Sequence, residues 1–313
     1  MVFSSLLFLY AFLPINLVLY FLTKKREIRN AVLILFSLIF YSWGEPVWVT
    51  LLIFSATIDY FHGLIIERHR HDIGAKLAVL SSLILNLSLL GIFKYSGFIV
   101  ENINALAGLS LPVPSFSLPI GISFYTFQTI SYVIDVYRGQ VEPQHNYAKF
   151  FMYVSLYSQL VAGPIVRYAD VAREVNYREE NLHDVSAGIS RFLIGLTKKV
   201  LIANTAGAFA EEYLSGDLTQ STTAAVWFGV LMFSLQIYYD FSGYSDMAIG
   251  LGWIFGFHFL ENFNYPYIAK SATDFWRRWH MSLGQFFRDY VYIPMGGNRK
   301  HQYFNLFIVW FLT

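Results

Sequence analysis

No charged side chain occurs in the first 23 positions, and that run sets the pattern for the chain. About 20 predominantly apolar residues cross the hydrocarbon core of a bilayer as a helix. Further apolar runs occupy 30–44, 47–66, 77–93, 118–136, 150–166, 185–210 and 222–239, and each predicts a membrane-buried helix. The stretch 247–259 is shorter and Gly-rich and predicts a partial crossing. The run 150–166 has 17 uncharged residues but ends on Ala162-Gly163-Pro164, which predicts a re-entrant segment. Irregular backbone at that depth survives only against protein or a water-filled cavity. The stretch 302–313 is uncharged and apolar, yet its 12 residues are too few to span. A helix ending in lipid leaves carbonyls unpaired, so the expectation is a chain cut inside its next transmembrane helix.

One segment follows a different pattern. Ser271-x-x-Asp274 resembles a capping box and predicts a helix start. Phe275, Trp279, Leu283, Phe286 and Tyr290 follow at spacings of three and four, one apolar stripe of a single helix. Arg277, Arg278, Arg288 and Asp289 forbid that helix from spanning, so it is expected at the interface or along a wet cavity. Ile293-Pro294-Met295-Gly296-Gly297-Asn298-Arg299-Lys300 then predicts a tight turn with a basic exit.

Composition agrees with a membrane protein. Of 313 residues, 56% are hydrophobic, 19% aromatic and 14% charged, with a mean hydropathy of +0.46. A soluble domain carries roughly 25% charged residues. These values exclude a soluble globular protein, a disordered chain and a nucleic-acid-binding module. With 22 basic and 21 acidic residues, placement of charge matters more than its sum. Lys24, Lys25, Arg26 and Arg29 follow the first apolar run rather than precede it, unlike a secretory signal. That order predicts a retained first helix with its amino end outside, and the basic loop at Arg68 and Arg70 agrees with it. The absence of Cys excludes disulfides, thiolate nucleophiles, thiolate metal sites and S-acylation of the protein.

Ionisable residues inside apolar runs carry the information, because each costs several kcal/mol unless paired or solvated. Asp135 and Arg138 are spaced for a helical i,i+3 pair, and so are Asp59 and His62, read as a structural couple. Asp240 and Asp246 flank Gly243 and two serines, Ser242 and Ser245, which predicts a helix break lined by carboxylates and tyrosines. A polar cavity and a set of ion pairs holding the bundle together both fit those two carboxylates. His280 follows Trp276 by four and Arg277 by three, so one helix would bring the three to one face. A neutral imidazole there could take a proton from a hydroxyl, with a nearby guanidinium lowering its pKa. A capping or merely hydrogen-bonding histidine is the alternative. No phosphate loop, dinucleotide fingerprint, metal-spaced His pair or nucleophile elbow is present.

Several segments together resemble the membrane-bound O-acyltransferase family, in its bacterial alginate O-acetyltransferase-like branch. They are Leu118-Pro119-Ile120-Gly121-Ile122-Ser123-Phe124-Tyr125-Thr126-Phe127-Gln128, Ala162-Gly163-Pro164-Ile165-Val166-Arg167-Tyr168, Asp240-Phe241-Ser242-Gly243-Tyr244-Ser245-Asp246 and Glu261-Asn262-Phe263-Asn264-Tyr265-Pro266-Tyr267. The most specific are Phe275-Trp276-Arg277-Arg278-Trp279-His280-Met281-Ser282-Leu283 and Arg288-Asp289-Tyr290-Val291-Tyr292-Ile293-Pro294. The resemblance implies an all-α polytopic transmembrane helix bundle with re-entrant and interfacial amphipathic helices around a tunnel. An acetyl or other small acyl group would pass from a cytoplasmic donor such as acetyl-CoA toward hydroxyls of an exported cell-envelope polysaccharide. Alginate or peptidoglycan is the type of acceptor, often reached through periplasmic partner proteins. The resemblance further implies a multi-pass protein of the cell inner membrane with no bound cofactor or metal and no nucleic-acid partner. His280 matches one family position. A second histidine, in a Trp-His-Gly segment one hydrophobic helix later, is the family's catalytic base, and no Trp-His-Gly follows Arg288 here. Candidate tunnel and substrate residues are Asp240, Asp246, Asn262, Tyr265, Trp276, Arg277 and Arg288.

No internal repeat, linker or low-complexity tract divides the chain, so a single membrane domain over 1–313, incomplete at its carboxyl end, is expected. Two rival functions share some of these features. A transporter or export subunit also uses interrupted helices and intramembrane carboxylates, but has no evident use for the Arg-Arg-Trp-His segment. A non-catalytic membrane scaffold is the other.

Overall fold

The computed structural model describes residues 1–114, 116–161, 163–216 and 221–313, and among these no strand occurs. A π-helical turn, Phe8–Phe12, leads into α1, Leu13–Leu22. Then come α2, Arg26–Gly44; α3, Val49–Arg68; α4, Ile73–Ala107; and α5, Ile122–Arg138. Next are α6, Tyr147–Ser155; α7, Tyr157–Leu160; and α8, Tyr168–Tyr177. Helix α9, Leu182–Thr197, continues through a π-helical segment, Lys198–Ala203, into α10, Asn204–Leu214, and α11 covers Thr223–Ile254. The chain finishes with α12, Ala272–Trp276; α13, Met281–Phe287; and α14, Gln302–Leu312. Helices α3, α4 and α11 are long and apolar enough to cross a membrane. Leu77, Leu80, Ile84 and Leu87 of α4 are exposed, as the lipid-facing side of a span would be. The all-α polytopic bundle expected from the sequence is therefore the observed class.

The chain divides into two compact units. One comprises Asn16–Val161 and Arg167–Asn176. Within it, α3 and α4 form a hairpin stapled by a buried polar cluster. The Asp59 carboxylate accepts hydrogen bonds from Ser82 Oγ at 2.6 Å and Asn86 Nδ2 at 2.7 Å, and lies 3.0 Å from His62 Nδ1. A carboxylate in an apolar seam needs such partners to offset desolvation, and the expected Asp59–His62 couple is one of them. Gly63 lets α5 approach α3, since a Cβ there would stand 2.6 Å from Tyr132 Oη. Asp135 is buried in the last turns of α5, which Arg138 ends. The run 150–166 is not one helix. It breaks at Leu156, whose ψ of 113° is extended, and it leaves helical geometry after α7. Ala162, at the start of the expected Ala-Gly-Pro turn, lies outside the described residues.

The other unit comprises Met1–Ile15, Ala162–Val166 and Tyr177–Thr313. Its centre is the antiparallel pair made by α9 and α10 against α11. The pair corrects one expectation: α11 runs unbroken through 240–246. Gly243 serves approach, not bending. A Cβ on Gly243 would lie 2.8 Å from Gly195 O, and one on Gly188 would lie 2.6 Å from Gly250 O. Small residues facing each other seven apart on both helices bring two backbones together, as membrane helix pairs require. The stacked rings of Phe3 and Tyr244, 4.6 Å apart, fix the amino terminus beside α11.

Candidate active site around His280

The segment after α11 doubles back on itself, and Asn262 organises the reversal. Asn262 O accepts from Met281 N at 2.9 Å, and Asn262 Oδ1 accepts from Ser282 Oγ at 2.9 Å. Ser282 Oγ in turn accepts from Ile165 N at 3.0 Å. Ser271 caps α12 as its sequence pattern predicts, with Oγ accepting from Asp274 N at 3.1 Å. Arg278 Nε donates to Asp274 at 2.9 Å, and that bond holds the exposed Asp274 carboxyl below its ordinary pKa.

A single amphipathic helix over 275–290 does not form. Helix α12 stops at Trp276, and His280 takes a left-handed conformation (φ 45°) as the N-cap of α13. Such backbone is costly for a non-glycine residue and persists only where surroundings impose it. Here the backbone pairing to Asn262 and Asn264 imposes it, and Trp279 is turned into an aromatic cage. Its ring meets Phe263 at 5.1 Å and Phe275 at 5.5 Å. Each such pair contributes about 0.5–1.5 kcal/mol beyond burial. Trp276 and Arg277 consequently do not share a helical face with His280 and are exposed.

His280 itself packs edge-on against Phe241 of α11, with ring centres 4.8 Å apart. Its Nε2 is buried and has no hydrogen-bond partner among the described residues. Burial pulls the imidazole down to about pH 4 in pKa. Desolvation, not a nearby guanidinium, is the cause of the shift. The buried Nδ2 of Asn262 is likewise unpartnered, as are the Ser242 and Ser245 hydroxyls of α11. A neutral imidazole with an open ring nitrogen is the state from which a hydroxyl proton can be accepted.

The two α11 carboxylates are paired. Asp246, nearly buried, meets Arg191 Nε at 2.8 Å and Lys198 Nζ at 2.5 Å. Arg191 also forks onto Glu261, at 2.9 and 2.6 Å. Lys199 pairs with the half-exposed Asp240. Arg191, Lys198 and Lys199 face Asp240 and Asp246 along the helix pair, with Glu261 from the segment after α11 as the third anion, so the seam leaves none of these charges unpaired at a cost. Sequence reasoning passed over Arg191, Lys198 and Lys199, although their place inside the apolar run 185–210 was the available signal. Tyr265 adopts φ 45° and is exposed, and Arg288 is exposed and pairs with Asp289 at 2.7 Å. The structure thus brings His280 and Asn262 into one buried neighbourhood, and leaves Tyr265, Trp276, Arg277 and Arg288 on the surface. A cavity of about 580 Å³ between α10 and α11, lined by Asn204, Glu211, Phe233 and Gln236 among others, holds none of the candidates. Among the described residues no group of three or more His, Asp or Glu side chains is placed to hold a metal ion.

Comparison with known proteins follows the same residues. The model of the membrane-bound O-acyltransferase family matches residues 140–313. The chain is 43% identical over 323 residues to a probable alginate O-acetylase, AlgI, of Pseudomonas aeruginosa, covering 100% of this chain and 61% of that protein. It is 34% identical over 346 residues to a peptidoglycan O-acetyltransferase of Helicobacter pylori, covering 100% of this chain and 66% of that protein. A teichoic acid D-alanyltransferase of Bacillus subtilis is 31% identical over 180 residues, 56% of this chain and 45% of that protein. The chain spans about three fifths of the length of the alginate O-acetylases it matches.

Proposed function

The chain belongs to the membrane-bound O-acyltransferase family, and from that premise we propose that it transfers an acetyl or small acyl group to hydroxyls of an exported cell-envelope polysaccharide. The protein is a multi-pass membrane protein, for which the inner membrane is the proposed location. Acetyl-CoA on the cytoplasmic side is the proposed donor, an alginate-type polymer the proposed acceptor, and periplasmic proteins the proposed partners in delivery. Residues 1–313 are proposed to belong to a single acyltransferase domain.

The observation that carries this reading is the half-buried, neutral His280, whose buried Nε2 has no hydrogen-bond partner among the described residues. In the proposed step the acceptor O–H donates to an imidazole as its oxygen attacks the thioester carbonyl. The C–S bond breaks, and the departing thiolate takes up the proton. His280 holds or shuttles that proton. A base within hydrogen-bond reach contributes about 10²–10⁴-fold. The aromatic wall of Phe241, Phe263 and Trp279 excludes water that would hydrolyse the acyl group. Asp240, Asp246, Asn262 and the exposed Tyr265, Trp276, Arg277 and Arg288 are proposed to line the acyl and acceptor path.

The complete protein, reconstituted in vesicles with acetyl-labelled acetyl-CoA, tests the reading. Label should appear as alkali-labile ester on the polysaccharide. Movement of polymer or solute without ester formation would instead support an export subunit.

A further inference from the structure

The segment Leu118 to Gln128 plays no part in the proton-handling site, yet its helix carries an anomaly. Among the described residues, neither polar side-chain atom of buried Gln128 has a hydrogen-bond partner, and nor has the buried Tyr125 hydroxyl. Gly121, Tyr125 and Gln128 are spaced to share one face of α5. Gly121 marks what that face meets: with φ 76°, it lies so close to α7 that a Cβ would stand 2.6 Å from Leu160 O. Leu160 ends α7, and from the α6–α7 break to that end Ser155 Oγ, Ser158 Oγ and Gln159 Oε1 are also buried without a hydrogen-bond partner among the described residues. Gln159 Nε2 donates to Tyr153 O at 2.5 Å, which holds the amide with its oxygen open. A third wall comes from α2. Ser37 Oγ accepts from Tyr157 N at 3.1 Å, and Tyr41, one turn on, has a buried and unpartnered hydroxyl within electrostatic range of Tyr125.

Folded proteins rarely leave one buried polar group bare, let alone a cluster drawn from three helices. Interrupted helices at membrane depth line cavities or bind ligands. The chemistry of the cluster selects the ligand. It offers carboxamides, aliphatic hydroxyls and phenols, hence both donors and acceptors, and no formal charge. None of these groups is a cation or an anion that would pair with an ionic ligand, whereas an O–H group, which donates and accepts at once, satisfies both kinds of partner.

We propose that the junction of α5 with the α6–α7 break is a binding site for neutral O–H groups, supplied by water or by the hydroxyls of an uncharged saccharide. The site stands apart from the acyl-transfer reading and does not depend on it.

Hydroxyl-radical footprinting of the complete protein in lipid nanodiscs tests the site without any variant. Water bound at the site makes adjacent side chains reactive, so in sugar-free buffer Tyr125 and Tyr41, 1% and 3% exposed, should be oxidised like exposed tyrosines. Gln128→Leu, nearly isosteric, should lower that labelling several-fold and lower the thermal midpoint by about 2–4 °C; Gln128→Met is the second variant should Leu fold poorly. Protection of Tyr125 by a neutral disaccharide identifies saccharide as the source, and labelling indifferent to the sugar identifies water. Tyr125 and Tyr41 that stay unlabelled, or labelling unchanged by both variants, would overturn the proposal. So would a Gln128→Leu protein more stable than wild type, the result expected if the amide were simply bare.

Discussion

Burial holds the His280 imidazole neutral down to about pH 4, against about 6.5 for the group in water. The unfolded chain therefore binds a proton at His280 between those values while the folded protein does not. Stability contributed by the neutral ring is complete above pH 6.5, falls as pH drops toward 4, and is level below. Thermal midpoints measured from pH 7.5 to 4 should fall less steeply in His280→Gln than in wild type; parallel curves would contradict the burial. The paired carboxylates make a second contrast. Asp246→Asn takes from Lys198 its carboxylate partner and leaves Arg191 only Glu261, and should cost about 1–3 kcal/mol, less than a fully buried pair. Asp240→Asn acts on a half-exposed side chain and should cost less than about 1 kcal/mol. Denaturation of the two variants should rank them in that order. His280 was legible because its motif is specific. Its left-handed backbone was not, since that conformation is imposed by Asn262, 18 positions earlier and visible only in three dimensions.

Glycine within a helix can bend it or let a neighbour approach, and a single chain does not distinguish the two uses. Gly243, with two serines beside it, reads as a breaker; facing Gly195 across a helix pair, it is a contact residue. The sevenfold spacing of Gly188 with Gly195 and of Gly243 with Gly250 was the legible sign of pairing. Gly195→Ala should destabilise by about 1–3 kcal/mol, since its Cβ would strike backbone of α11 that cannot give way. Gly91→Ala, with nothing within 4 Å of the added Cβ, should stabilise α4 by up to about 1 kcal/mol. Equal effects on thermal midpoint would refute the close-approach account. The segment 271–292 shows the opposite failure of periodicity. Its apolar stripe fits one helix, but pairing of 278 and 281 with Asn264 and Asn262 outweighs local helix formation.

Hydropathy alone made the all-α membrane class legible, because lipid admits only helices or closed barrels and the runs are too long and too uncharged for strands. The run lengths located α2, α3 and α5 closely, yet they stopped at 93 where α4 continues to Ala107, divided α11 in two and joined α6 to α7 because they register polarity, not packing. The ionic seam of Arg191, Lys198 and Lys199 with Asp240 and Asp246 needed two helices side by side to be seen. The charges of that seam are paired, whereas His280 is neutral and its buried Nε2 has no hydrogen-bond partner among the described residues. The claim on which the functional account turns is that this imidazole handles the acceptor proton. Initial rates of labelled acetyl transfer to polysaccharide by the complete protein, wild type against His280→Ala, measure it directly. A fall of about 10²–10⁴-fold in kcat with the protein still folded is predicted; turnover equal to wild type would contradict it.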